Sequence, residues 1–266
     1  MKYLGLFVGI FSMLMFVYSC GGGHSHEEDQ AHADHHGEEG DHDITLTALE
    51  GSPQFHGASL SLNSFSAGEN GAYNFDFKVE GYELGAQTDA QLGLANSGKG
   101  QHIHFIVDNG PYSAHYDPTF SSDKLAEAGN HVVLAFLSRS YHESVKNMGE
   151  ASSFVVTQMG EGEQADLSTQ HMFYSRPKGT YKGDDTKKLL LDFFLLNTDL
   201  SEDGNNVRAV INGQEFMLTE WKPYVIEGLP MGEVTIKLEL IDGAGNLIPG
   251  PFNSVSRTVT LAPADS

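Results

Sequence analysis

Two histidines separated by one residue, His102 and His104, are the side chains in this sequence best suited to holding a metal ion. They lie in QHIHFIVDNGPY (101–112), a short apolar run whose pattern predicts a β-strand. Alternate residues of a strand project from one face with Cα atoms about 7 Å apart, so both rings point the same way. His142 and Glu143 follow a neighbouring predicted strand and are candidates to complete the ligand set. Zn²⁺ or Cu²⁺ would suit these ligands, although a histidine on a strand is more often a structural residue than a metal ligand.

A second group of potential ligands lies near the N-terminus. Residues 21–43 contain no apolar residue larger than alanine, which predicts a disordered tether. Imidazoles alternate there with carboxylates, and such a flexible chain can wrap Zn²⁺, Cu²⁺ or Ni²⁺. A solvated acidic spacer is the alternative interpretation. The tether histidines are His24, His26, His32, His35, His36 and His42.

The first nineteen residues resemble a bacterial lipoprotein signal peptide. Lys2 precedes an apolar run that is too short and too early for a stable membrane span, and Val17, Ser19 and Cys20 fit a lipobox, in which Tyr18 is bulkier than usual. Acylation of Cys20, for example with palmitate, would anchor the protein to a membrane. An uncleaved anchor with an incidental cysteine is the alternative. An acidic stretch after the lipidated cysteine resembles the surface-export signal of Bacteroidetes lipoproteins. We therefore expect an outer-membrane lipoprotein at the cell surface or on the periplasmic face.

Charge and cysteine content restrict the partners and the covalent structure. The chain has 36 acidic and 15 basic residues, a net charge of −21. Nucleic acid is excluded as a partner, because phosphate binding needs a basic surface. Cys20 is the one cysteine, so an intrachain disulfide is impossible. The membrane, through the lipid anchor, and a divalent metal or an anionic ligand remain as expected partners.

From residue 44 onward, short alternating apolar runs separated by turn formers predict an all-β fold. A weak internal repeat divides this part into two immunoglobulin-like β-sandwich domains, 44–165 and 166–266. ITLTAL (44–49) and ASLSLNSF (58–65) are expected to lead the first domain. The repeated segments of the first half are YNFDFKVEGYELG (73–85), QHIHFIVDNGPY (101–112), LAEAGNHVVLAFLS (125–138) and SSFVVTQ (152–158). Those of the second half are LLLDFFLLNTDLS (189–201), NNVRAVINGQEF (205–216), GLPMGEVTIKLELID (228–242) and SVSRTVTL (254–261).

The repeat also predicts which face of each strand is buried. Carrying the alternation of the second copy back to the first places Ile103, Phe105 and Val107 in the first core and both strand histidines on the opposite face. In the strand at 125–138 the opposite face is apolar too, through Val132, Leu134 and Phe136. Something must cover this face: the other domain, a long loop or a ligand. The second copy has Asn206 and Arg208 in place of the histidines, so the fold itself does not require them.

Basic residues are few, and two loops concentrate them. SRSYHESVKN (138–147) and YSRPKGTYKG (174–183) combine Arg139, Lys146, Arg176 and Lys178 with hydroxyl groups. Such loops can bind an anion, or can pair with the many carboxylates of the protein.

Together with QHIHFIVDNGPY, the segments LAFLSRSYHESVKN (134–147) and YSRPKGTYKG resemble stretches of little-characterised Bacteroidetes lipoproteins with tandem immunoglobulin-like domains. Some of these carry a phosphopeptide-binding label. The resemblance covers roughly residues 50–260 and implies recognition of an anionic or phosphorylated ligand at the Arg139 and Arg176 loops.

No catalytic motif is present in the sequence, and no organic cofactor is implied. We therefore expect a non-enzymatic envelope lipoprotein with a binding role. Capture of a divalent transition metal by the tether and the first domain is the leading hypothesis, and anion recognition is the alternative.

Overall fold

A computed structural model describes residues 43–90, 92–147 and 151–265. The signal peptide, Cys20 and the six tether histidines, all within residues 1–42, lie outside the described residues. Among the described residues, no helix is long and apolar enough to cross a membrane.

The described chain is all-β. Its strands are β1 (Thr45–Ala48), β2 (Ser59–Ala67), β3 (Tyr73–Glu80), β4 (His102–Val107), β5 (Ser113–His115), β6 (Thr119–Ser122), β7 (Asn130–Ser138), β8 (Phe154–Gly160), β9 (His171–Arg176), β10 (Thr180–Lys182), β11 (Leu189–Leu196), β12 (Asn206–Ile211), β13 (Gln214–Leu218), β14 (Tyr224–Glu227), β15 (Gly232–Ile241) and β16 (Ser254–Ala262). Two short 3-10 helices occupy Glu69–Gly71 and Gly183–Thr186.

These strands form two sandwiches with the same internal order. The first pairs the sheet β2-β3-β6 with the sheet β5-β4-β7-β8. The second pairs β1-β14-β11-β9 with β10-β16-β15-β12-β13. Without β1 and β10, the second sandwich repeats the first strand for strand, as the two halves of the sequence predict. The predicted fold, all-β with two immunoglobulin-like sandwiches, is confirmed.

The first strand lies in the second sandwich, and its predicted place in the first domain is wrong. β1 pairs antiparallel with β14, from Thr45 opposite Glu227 to Ala48 opposite Tyr224. Leu46 packs against the second core. Alternation identifies 44–49 as a strand, but pairing with a partner about 180 residues away depends on which sheet edge is open, and no local pattern encodes that.

The two sandwiches stack face to face, so that one sheet of each is covered on both sides. The first core lies between β2-β3-β6 and the inner face of β4 and β7, and it includes Ile103 and Phe105 as predicted. The second core lies within the second sandwich. Between them, Val132, Leu134 and Phe136 of β7 pack against Phe173, Phe194 and Phe252. The other domain is therefore what covers the apolar outer face, and every residue of β4 is buried.

Phe194 is central to this interface, and truncating it should be costly. Its fully buried ring lies 5.4 Å from Phe136, 4.6 Å from Phe154 and 5.0 Å from Trp221, measured between centroids. Phe194→Ala should lower the free energy of unfolding by about 3–5 kcal/mol, which urea denaturation would measure. Phe65→Ala, at a ring that is 47% exposed, is the matched control and should cost much less. Equal losses would show that the interface adds little stability.

Candidate metal centre

Three histidine rings meet in the interface between the sandwiches. His102 and His104 project from the face of β4 that the second sandwich covers, and His142 comes from the turn after β7. His102 Nε2 lies 2.9 Å from His104 Nε2 and 3.1 Å from His142 Nδ1. All three ligand nitrogens lie within 4.8 Å of one another, and among the described residues no other group of His, Cys, Asp or Glu is arranged this way. We call these residues the triad.

The donor and acceptor capacity of the triad nitrogens fits a bound cation better than a complete network of hydrogen bonds. His102 Nδ1 lies 2.8 Å from the carbonyl oxygen of Gly100 and must donate to it. This leaves His102 Nε2 with a single lone pair facing two other ring nitrogens, and one lone pair can fully accept one donor. A metal ion among the three nitrogens removes the conflict. Two tetrahedral ligands at about 2.0–2.1 Å from Zn²⁺ stand about 3.3–3.4 Å apart. The two pairs that include His102, at 2.9 and 3.1 Å, are close to this spacing, and the third pair lies within 4.8 Å.

Neighbouring groups orient the rings of His102 and His104. With its Nε2 directed at the centre, His104 can donate from Nδ1 to Ser175 Oγ, 3.3 Å away on β9. The Tyr112 ring stacks on His104 with centroids 3.6 Å apart, and its hydroxyl lies 3.3 Å from His142 Nδ1, the triad nitrogen of that ring. Metal-bound histidines are commonly held by a hydrogen bond at the second ring nitrogen, as His102 and His104 are here.

Burial keeps the triad neutral. Desolvation lowers the pKa of His102 to about 4 and holds the pKa of His104 well below its ordinary value. Burial also strongly lowers the pKa of His142, and the charges of Arg176 and Lys178 add to this effect. Neutral imidazole is the form that binds metal, so at neutral pH all three rings offer unprotonated nitrogen.

A braced turn presents His142 to the other two rings. Its φ angle is +73°, a left-handed conformation that costs a non-glycine residue of order 1–3 kcal/mol. Backbone bonds between Arg139 and Glu143 and from His142 N to Arg139 O close this turn. The Arg139 guanidinium adds a 3.0 Å ion pair to Glu143 and hydrogen bonds to the carbonyls of Ser144 and Pro53.

Glu143 is therefore not a ligand, contrary to the sequence prediction. Its carboxylate points away from the triad, pairs with Arg139 and accepts a hydrogen bond from Ser52 Oγ. In this turn His142 faces the triad and Glu143 faces Arg139.

Two of the four predicted anion-binding residues are also committed to internal contacts. Arg139 is buried in the turn, and Lys146 Nζ lies 2.6 Å from Asp192 Oδ1, on a fully buried carboxylate. Their part in the predicted anion site is wrong, because folding pairs both charges within the protein. Arg176 and Lys178 differ: they lie beside Tyr112, their charges act on the triad, and neither is in an ion pair of the described residues.

Three of the remaining histidines of the folded part contact other groups. His115 stacks on Phe120 at 3.5 Å, and His131 pairs with Asp108 at 2.6 Å. His171 lies 2.9 Å from the carbonyl oxygen of Asp166. Sequence reasoning missed Ser175 and Tyr112, which orient the triad. Both stand in segments that the sequence singles out, but nothing in their local pattern assigns them to His104.

Removing the hydroxyl group beside His104 should weaken metal binding. Ser175→Ala leaves His104 Nδ1 without its partner, and loss of such a contact typically costs about 10–100-fold in metal affinity. Competition with a chromogenic chelator would measure the change. Ser113→Ala is the matched control, because Ser113 makes the same kind of contact, at 2.9 Å, to His115 outside the triad. Equal affinities for the two variants would contradict an orienting role for Ser175.

No protein-family model matches the chain. No curated protein matches it at the required level of significance. Fibronectin(III)-like modules of Clostridium thermocellum CbhA share 13% identity over 35% of this chain and 99% of their own, with a TM-score of 0.28. The central fibronectin-III array of RIM-binding protein shares 8% over 80% of this chain and 71% of its own, with a TM-score of 0.26. A third structure is Bacteroides ovatus SGBP-B, from a mixed-linkage glucan utilization locus, in complex with a mixed-linkage heptasaccharide. It shares 9% identity over 82% of this chain and 64% of its own, with a TM-score of 0.23. The fold assignment rests on the strand order of the sheets themselves.

Proposed function

We propose that this protein is a non-enzymatic envelope lipoprotein that captures one divalent transition-metal ion, Zn²⁺ or Cu²⁺, at His102, His104 and His142. The observation that carries the proposal is the convergence of three ring nitrogens, two of them on fully buried histidines. Nitrogen ligands of this kind suit both ions, and three histidines leave one coordination position for a further ligand.

Capture fits the site better than catalysis. A catalytic zinc site needs a substrate to reach its open position. Here His102 and His104 are fully buried under the second sandwich, and His142 is the partly exposed member of the triad. In this proposal the tether collects ions near the membrane and the triad retains one of them.

The experiment separates the triad from the tether. The tether variant is the chain from Gly21 onward in which the six tether histidines are replaced by serine. Isothermal titration of the tether variant with Zn²⁺ and, separately, with Cu²⁺ should show one ion bound per molecule. Binding should disappear in the tether variant carrying His102→Ala and His104→Ala, because two of three ligands are lost.

A matched control changes two histidines outside the triad, His115→Ala and His131→Ala, and should bind as before. Unaltered affinity after loss of His102 and His104, or no stoichiometric binding at all, would overturn the proposal.

The location of the protein is a separate part of the proposal. Cys20 would carry the lipid anchor, and the acidic tether would place the folded part at the cell surface or in the periplasm. Metabolic labelling with palmitate should mark the natural chain and fail to mark Cys20→Ser. Labelling of Cys20→Ser to the same extent would contradict an anchor at this position.

A further inference from the structure

Four basic side chains gather around residues 108–112, where the two sandwiches meet. Lys178 Nζ donates to the carbonyl of Tyr112 at 2.7 Å, and Lys124 Nζ donates to the carbonyl of Pro111. Arg257 donates to the carbonyls of Asn109 and Gly110 at 3.0 and 2.9 Å. Arg176 places its guanidinium carbon 5.3 Å from the centroid of the Tyr112 ring.

None of these four has a carboxylate partner among the ion pairs of residues 43–90, 92–147 and 151–265. Acidic residues outnumber basic ones by 36 to 15, so carboxylates are plentiful in this protein. Four buried or half-buried cations without one are therefore unexpected. Taking cations out of water without a counter-charge is costly, which indicates that an anion from outside the protein supplies it.

Arg176 shows the missing partner most clearly. It is 7% exposed, and its buried Nε has no hydrogen-bond partner. One of its terminal nitrogens donates to the Tyr181 hydroxyl at 2.8 Å. A guanidinium carries five N–H donors in a planar fork that matches carboxylate and phosphate oxygens. Lys178 stands beside the same tyrosine, with Nζ 4.0 Å from the Tyr112 ring centroid.

A metal ion at the triad would increase the need for an anion. Arg176 and Lys178 are the full positive charges that act on His102, His104 and His142, and the groups acting on these rings include no carboxylate. A divalent cation held by three neutral imidazoles would add two more positive charges in a buried region, where charges interact more strongly than in water.

We propose that Arg176 and Lys178 bind an oxyanion of the carboxylate or phosphate class next to the triad, so that anion and metal ion bind with positive cooperativity. The cooperative part rests on the proposed metal function. The anion site itself rests on the unpartnered buried guanidinium and does not require the metal.

The test is a titration of the tether variant with inorganic phosphate and, separately, with acetate, both at constant ionic strength. Each titration is performed on metal-free protein and on protein loaded with one equivalent of Zn²⁺ from which excess metal has been removed. We expect phosphate or acetate to bind at least 10-fold more tightly to the zinc-loaded protein. Tighter binding of one of the two anions identifies the class.

Two variants test the residues. Arg176→Gln should weaken anion binding at least 10-fold in both metal states. Lys178→Gln, at a half-buried side chain, provides a second test if Arg176→Gln fails to fold, and should weaken binding severalfold. Lys182→Gln is the matched control: it removes the same charge from the next strand, at a side chain that is 51% exposed and paired with Asp265, and should have no effect.

The outcomes separate this inference from the proposed function. If zinc binds at one equivalent but neither anion binds, or anion binding is the same in Arg176→Gln, the inference is overturned and metal capture stands. If zinc does not bind but the metal-free protein binds an anion through Arg176, the anion site stands and metal capture fails. Equal anion affinity with and without zinc overturns the cooperativity.

Discussion

Zinc at about 1,000 times its dissociation constant should stabilise the folded tether variant by roughly 4 kcal/mol, since it binds only the native state. For a protein of this size each kcal/mol raises the Tm by about 2–4 °C, so an increase of roughly 8–16 °C is expected. His104→Phe should abolish this increase. Circular dichroism during heating, with and without Zn²⁺, is the measurement.

This variant removes a ligand while preserving the packing. His104 is fully buried, stacks on Tyr112 at 3.6 Å and lies 5.1 Å from Phe136, so a phenyl ring suits its surroundings. It also removes one of the two ring nitrogens that compete for the lone pair of His102. We therefore expect the metal-free Tm of His104→Phe to equal or exceed that of the parent. A zinc-dependent increase of the same size in His104→Phe would show that the ion binds elsewhere.

Acid should destabilise the metal-free protein at a pH where most proteins remain stable. Burial lowers the pKa of His102 to about 4, below the value of about 6.5 for an exposed histidine. As the pH falls through this window the unfolded chain takes up the proton first, so stability present above pH 6.5 is lost as the pH falls toward 4. At 1.36 kcal/mol per pKa unit, His102 alone accounts for a loss of roughly 3 kcal/mol in the free energy of unfolding. The pKa of His104 is lowered too, so His104 adds to this loss.

Urea denaturation of the tether variant at pH 7.5, 6.0 and 5.0 measures the slope with which the free energy of unfolding falls as the pH is lowered. His102→Gln should make it shallower, because one titrating group is gone, while His104, His115 and His142, whose pKa values burial also lowers, remain. The control is His131→Gln: the hydrogen bond to Asp108 raises the pKa of His131, so losing this residue should not make the slope shallower. A slope that is the same in His102→Gln and in the parent would show that His102 does not carry the effect.

Alternation and the internal repeat are enough to predict the architecture of this chain. The apolar faces of β4 and β7 follow directly from the spacing of Ile103, Phe105 and Val133, and the apolar outer face of β7 correctly requires a cover. What alternation cannot provide is the pairing partner of a strand. β1 shows this, because its sequence is compatible with either sandwich and the open edge of β14 decides its place.

The candidate metal centre could likewise be predicted from the sequence only in part. The H-x-H spacing places His102 and His104 on one face, which is a local property of a strand. His142 depends on a turn that reverses the chain at Arg139–Glu143, and Glu143 and Arg139 form part of that turn. Partners supplied by the second sandwich, such as Ser175, depend on how the sandwiches stack, and the sequence of either half does not contain that information.

The face-to-face stacking means that neither sandwich is an independent module. Immunoglobulin-like domains in tandem are commonly joined end to end, so that one can be exchanged for an unrelated domain without harm to its neighbour. Here the exchange of either half would uncover the Phe136 and Phe194 faces and would remove Ser175 and Arg176 from the surroundings of the triad. The two halves are therefore bound to change together, and the smallest portion of this chain that recombination could transfer intact is the pair.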